Sequence, residues 1–343
     1  MVENDSYREQ LVKRDVFLPS NVELTIRFTK HNTREDLGLP GELKSRLKNT
    51  DIFVPEYMGI DEAEANLYKK ISRGYTSPHQ VISYFPDFGQ QLLEELHRSY
   101  VNLAFVDVEF SDPFISSYLA NRADLDIFFT GGFDGALQET AEKNKRFMEL
   151  NAVRERIILS RIGPALQEVI DKNPKFKSKK RVHVLMLIGA IHQNIYQELV
   201  QVAHQQRSET TDDTPSVLVE GLTKIEDIGT IDYQSRLNMH YSPYEFRLTD
   251  EELTESLIKA VGSILITQAF PWLTTQRHIL NEIINLLSTD ETRSLYETFR
   301  EFDFSNYHEH KKRHFLRTNP TWLKIEDFLE DKLKYQIRSP TSL

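Results

Sequence analysis

The feature that most constrains this chain is Val182-His183-Val184-Leu185-Met186-Leu187-Ile188, an almost unbroken apolar run closed by Gly189. A strand apolar on both sides belongs in the centre of a parallel sheet that helices cover on both faces. The chain then continues GAIHQNIYQELVQVAHQQ, where Ile195, Leu199 and Val202 share one helical face. This is a strand, tight turn and helix unit, and it predicts an α/β fold. The whole reads as a mixed or mostly parallel central sheet flanked by helices, followed by a mainly helical C-terminal region.

Other segments fit that frame. In residues 22–29, VELTIRFT, Val22, Leu24, Ile26 and Phe28 alternate with polar neighbours, the period-two pattern of a strand. A short helix over GELKSRLKN leads to Ile52, Phe53 and Val54, a compact strand stopped by Pro55. Segments 60–73 and 79–98 have helical spacing, the second interrupted by Pro86, and YVNLAFVDVEF is a third strand with Asp107 near its end. From about 136 to 172, Phe147, Leu150, Val153, Ile157, Ile162, Leu166 and Ile170 mark one long helix that Pro164 should bend. Helices are expected at 249–268, 274–287, 290–302 and 321–334. The expected layout is therefore a loose arm over 1–19, an α/β core over 20–204, an irregular connector over 205–248 and a helical region over 249–343.

Composition narrows the chemistry. The 343 residues, 39% of them apolar, supply ample core-forming side chains. Cysteine is absent, which excludes disulfides, thiolate nucleophiles and cysteine-ligated metals. No apolar run approaches the roughly 20 residues that span a bilayer, and MVENDSYREQLVKRD lacks the apolar core of a secretory signal, so a cytoplasmic location and no membrane association are expected. A formal charge of -10 opposes nucleic-acid binding, and the basic run Lys175 to Arg181 reads as a solvated loop.

Ligands of open α/β sheets bind beyond the carboxyl ends of the strands. His31, Glu56 and His192 follow three predicted strands, with Asp107 a further candidate. Two imidazoles and a carboxylate suit a divalent ion such as zinc, manganese or cobalt, with an open position for a nucleophilic water. Arg154 lies four residues after Leu150 and four before Ile158, on the apolar stripe of the long helix. It needs a buried partner to offset its desolvation, and Glu56 or Asp107 could supply it. The plainer alternatives are a His192 that caps a turn, a solvated His31, and a Glu56 that sits at a helix N-terminus.

LIGAIH, preceded about thirty residues earlier by a helix containing VRERIILSRI, resembles the closing half of TraB/Tiki-like (erythromycin-esterase/ChaN-like) proteins. The opening half is similar in layout. The resemblance implies the fold, ester or amide hydrolysis at a strand-end pocket, and, in the Tiki branch, a divalent metal. Carried over residue by residue, it makes His31, Glu56 and His192 the metal ligands and Glu56, Arg154 and Glu155 the catalytic group. One departure is visible: Phe28-Thr29-Lys30-His31 lacks the glycine expected three residues before the first histidine.

The alternative from another class is a non-catalytic protein that captures a small anionic ligand. The substrate is expected to be a small molecule or a peptide, with a protein partner or self-association through the C-terminal helices. His308, His310 and His314 lie among Lys311, Lys312 and Arg313 and read as a basic surface patch. His183 reads as a hydrogen-bonded core residue. No GxxxxGK[ST], HExxH, GxSxG or GxGxxG is present.

Overall fold

The computed structural model describes residues 16–29, 41–81, 87–209, 214–220, 233–242, 247–274, 277–301 and 316–338. Five strands, β1 (Val22–Thr29), β2 (Ile52–Pro55), β3 (Asn102–Leu103), β4 (Val182–Gly189) and β5 (Ser216–Glu220), form one all-parallel sheet in the order β3-β2-β4-β1-β5. Helix α1 (Glu42–Leu47) lies between β1 and β2, and α2 (Glu62–Ser72) and α3 (Asp87–Leu96) between β2 and β3. Helices α4 (Pro113–Leu119), α5 (Leu125–Thr130), α6 (Gly132–Lys172) and the one-turn α7 (Pro174–Lys177) separate β3 from β4. Helix α8 (Gln193–Glu209) follows β4, and α9 (Tyr233–Tyr241), α10 (Asp250–Ala269), α11 (Arg277–Leu286), α12 (Thr289–Arg300) and α13 (Pro320–Arg338) are the remaining described helices.

The two faces of the sheet follow from side-chain alternation. Leu24 and Ile26 of β1 and Val184, Met186 and Ile188 of β4 pack with Ile158, Ile162 and Leu166 of α6 and with Ile195 and Leu199 of α8. Leu185 and Leu187 of β4 and Phe53 of β2 face the other way, onto Leu43 of α1, Tyr68 and Ile71 of α2 and Leu93 and Leu96 of α3. Strand β4 is therefore covered on both sides, as its composition requires. After β2 the chain moves toward β3, and after β4 it moves toward β5 on the opposite side. The strand order thus reverses between β2 and β4, where loops diverge and leave a crevice.

Several expectations are corrected. The third strand shrinks to two residues because Pro55 ends its ladder. Asn102 and Ala104 donate to the carbonyls of Asp51 and Phe53, but the next rung on β2 falls on Pro55, which has no N–H. The chain then leaves the sheet and carries Asp107 away. His183 is not in the core: it is exposed at the start of β4, its Nδ1 3.0 Å from Glu23 Oε1. The stretch expected to be irregular holds β5, whose Val217 and Val219 pack against the β1 face, and α9. Leu18, placed in the arm by its sequence, is buried, and its backbone N–H and C=O bond to the amide of Gln206. Helix α6 is one long helix through Pro164, as its spacing indicates, but it starts four residues earlier than expected.

Contacts divide the chain into two compact units, residues 1–121 with 147–224, and residues 122–146 with 225–343. The second is helical. Val261, Leu265 and Ile266 of α10 pack with Ile283 of α11 and Leu295 and Phe299 of α12, and Trp322 stacks on Phe270 with centroids 4.9 Å apart. Thr249 and Ser288 begin α10 and α12 with reciprocal capping boxes. Among the described residues no helix is long and apolar enough to cross a membrane.

Ile26 is fully buried in the sheet, whereas Leu218 of the edge strand β5 is 52% exposed. Ile26→Ala should therefore cost about 2–5 kcal/mol in urea unfolding, and Leu218→Ala should change stability by no more than about 0.5 kcal/mol.

Candidate functional site

The crevice between β2 and β4 receives side chains from four segments. Glu56 follows β2 directly, its N–H bonded to the carbonyl of Leu187 at 2.9 Å. Asp107 ends the segment that leaves β3, Arg154 and Glu155 lie on α6, and His192 closes the turn after β4. All five belong to the first unit. The turn is built so that Glu56 can approach its backbone. Gly189 donates its N–H to Glu56 Oε2, and a Cβ at Gly189 would lie 3.2 Å from that oxygen and 3.7 Å from the His192 ring.

Arg154 is the hub. Its Nε and Nη2 donate to the two oxygens of Asp107 at 2.9 and 2.5 Å, a bidentate pair that matches the planar fork of the guanidinium. Nη2 also reaches Glu56 Oε1 at 2.7 Å, and Nη1 lies 3.2 Å from His192 Nε2. Burial opposes the charge of Arg154, but Glu56 and Asp107 outweigh it and hold the guanidinium's pKa well above its ordinary value.

His192 is fully buried between two carboxylates. Nε2 is 3.1 Å from Glu56 Oε1 and Nδ1 is 3.3 Å from Glu155 Oε1. Two protonation patterns satisfy these contacts. The neutral ring donates from Nδ1 to Glu155 and accepts at Nε2 from Arg154, whereas the cation donates to both glutamates. Burial works against the cation, and Arg154 does so to a lesser degree. The charge of Glu56 and the hydrogen bonds to Glu155 and Glu56 prevail, so the imidazole pKa is raised above 6.5. Three carboxylates thus surround one guanidinium and one imidazole held toward its charged form. Glu56 is the most accessible of the five, with its side chain 10% exposed against 7% for Arg154 and 4% or less for the others.

Two supporting residues, Asn151 and Arg161, were not anticipated from the sequence. Asn151 donates to Glu155 Oε1 at 3.4 Å, one helical turn away. Arg161, two turns after Arg154, donates to the Asp107 carbonyl at 2.6 Å and reaches Asp112 Oδ2 at 3.4 Å. Asp107 also accepts from the N–H of Val108 at 2.8 Å. The i−4 and i+7 spacing on α6 was a usable signal for Asn151 and Arg161, because those offsets return to one helix face. His31 lies outside the described residues, as do His308, His310 and His314.

As arranged, the described donors do not fit a resident divalent ion. The guanidinium sits among the carboxylates, Glu56 Oε1 is shared by Arg154 and His192, and each imidazole nitrogen faces a carboxylate oxygen. Among the described residues no group of three His, Asp or Glu side chains is placed to hold a metal. In comparisons with known proteins, no family model, curated protein or solved structure matches this chain.

The sign of the pH effect follows from the raised pKa of His192. A protonated, paired imidazole stabilises the fold fully at pH values below its ordinary 6.5, and this contribution is lost as pH rises through the higher folded value. Replacing His192 by Gln should therefore destabilise most in mildly acidic solution. Thermal melts at intervals from about one pH unit below the ordinary pKa to about two and a half above it should show the gap between the two proteins narrowing as pH rises.

Proposed function

We propose that this protein is a hydrolase of the TraB/Tiki-like kind that cleaves an ester or amide bond by acid–base chemistry at Glu56 and His192. The observation that carries the reading is the 3.1 Å contact between Glu56 Oε1 and His192 Nε2 at the reversal of strand order, with Glu56 the outermost member. Proton exchange needs heavy atoms within hydrogen-bond reach, and a ring nitrogen facing a carboxylate oxygen meets that condition.

In this scheme a water adds to the substrate carbonyl carbon as Glu56 takes its proton. The proton passes to the leaving oxygen or nitrogen as the C–O or C–N bond breaks, so the products are an acid and an alcohol or amine. His192 shares the proton with Glu56 across their 3.1 Å contact while it is held between water and leaving group, and is itself oriented by Glu155. Arg154 fixes Glu56 from the other side, with Asp107 and Gly189 completing the frame. The substrate class is a small molecule or a peptide.

The metal-assisted version uses His31, Glu56 and His192 as ligands to zinc, manganese or cobalt. It requires His31 to supply a donor and the guanidinium to leave Glu56 Oε1. Capture of an anionic ligand by Arg154 has less support, since the guanidinium already serves two carboxylates.

The test is a screen of aryl esters and chromogenic peptide amides with the wild type, Glu56→Gln and His192→Gln, each checked for folding by its melt. Turnover should fall by roughly 10²–10⁴ in either variant. Folded variants that keep full turnover contradict the assignment. Elemental analysis of untagged protein separates the two versions: a stoichiometric divalent ion supports the metal-assisted one, and its absence together with retained turnover supports the acid–base one.

A further inference from the structure

We infer that the free edge of β3 is a docking cleft for an extended acidic peptide, which adds to the sheet as a sixth strand. This proposal is independent of the chemistry assigned to Glu56 and His192.

Among the described residues, β3 is the outer strand of the sheet and pairs with β2 alone. Asn102 and Ala104 direct their N–H groups to β2. In a parallel ladder the intervening residue points its N–H and C=O the other way, so Leu103 presents both to the outside. Neither group is hydrogen-bonded among the described residues. A cleft of about 530 Å³ lies along this edge, and residues 101–105 form its floor. These five residues span about 13 Å at about 3.3 Å per residue. The floor keeps strand alternation beyond its paired portion, with Leu103 and Phe105 packed toward α2 and Ala104 and Val106 toward α6.

The walls select the guest. On one side α2 contributes Lys69 and Arg73, both exposed. Arg73 bonds the side chain of Asn102 at 3.1 Å, and Lys69 lies within the electrostatic reach of Glu168 across the cleft. On the other side α6 contributes Lys172, paired with Glu168 one turn earlier. The cleft is therefore net positive in a chain of formal charge -10. Unpaired strand backbone gives affinity for an extended chain, and flanking side chains give specificity, the physical basis of strand addition. The excess of cations at the rim favours carboxylates on alternate residues of that chain, spaced to reach Lys69 and Arg73.

The experiment uses the full chain, ¹⁵N-labelled. Its probe is an equimolar pool of acetylated hexapeptide amides in which Asp or Glu alternates with Val, Ile or Thr. The comparison pools replace the acids by Lys or carry N-methyl groups on alternate residues, and a short oligothymidylate tests for nucleic acid. The proposal expects the acidic pool to shift the Leu103 amide resonance and slow its hydrogen exchange. The Lys69→Glu/Arg73→Glu variant should weaken binding about tenfold or more, and the lysine and N-methylated pools should fail to bind. The variant changes exposed residues only, and an unaltered melt verifies its fold. An unmoved Leu103 amide, equal binding of the lysine or N-methylated pool, tighter binding of oligothymidylate, or indifference to the charge reversal each overturns it.

Discussion

The first unit depends on one buried guanidinium. Arg154 projects from α6 into the mouth of the sheet, where it binds a carboxylate delivered by β2 and another delivered from β3, and it touches the imidazole that follows β4. Three strand ends that lie far apart in sequence are thereby tied to one helix. A buried charge of this kind is held only if its partners are complete, because removal of one leaves the other uncompensated in a medium of low polarity. The same demand explains the local backbone. Pro55 stops the ladder so that the chain can swing Asp107 toward the arginine, and Gly189 leaves room for Glu56 beside the turn.

The proton inventory follows from this arrangement. With three carboxylates around one arginine, the cluster is short of positive charge, and protonation of His192 reduces that imbalance. Burial alone would keep the ring neutral, so the carboxylates Glu56 and Glu155 decide its state. The imidazole is thus a part of the ion-pair network. Glu56, the outermost member, links that network to solvent, and this gives the crevice its chemical interest.

Much of this was legible in the sequence, for identifiable reasons. The apolar run 182–188 could only be a strand covered on both sides, and Leu150, Arg154 and Ile158 at four-residue spacing forced a buried partner for the arginine. Glu56 and His192 could be placed at strand ends because Pro55 and Gly189 marked those ends, whereas Asp107, read as near the end of a longer third strand, lies four residues beyond it. The rest required long-range information. The shortness of β3 depends on a missing N–H on a neighbouring strand nearly fifty residues earlier. The exposure of His183 reflects its place at the rim of β4, which an apolar run does not reveal. Strand β5 has only three apolar residues within a polar stretch, and its pairing with β1 supplies the order that its pattern lacks. The arrangement of charges around His192 was also beyond sequence spacing, since Glu155 adjoins Arg154 and either could have faced the crevice.

The most direct test of the central claim is a double-mutant cycle in urea with Arg154→Met, Asp107→Leu and both together. A paired charge left alone in the interior is costly, so each single change should destabilise by about 3–5 kcal/mol, and the double variant should recover a large part of the combined loss. Losses that simply add would contradict the account, because they would mean that Arg154 and Asp107 contribute independently and that the guanidinium does not hold the strand ends together.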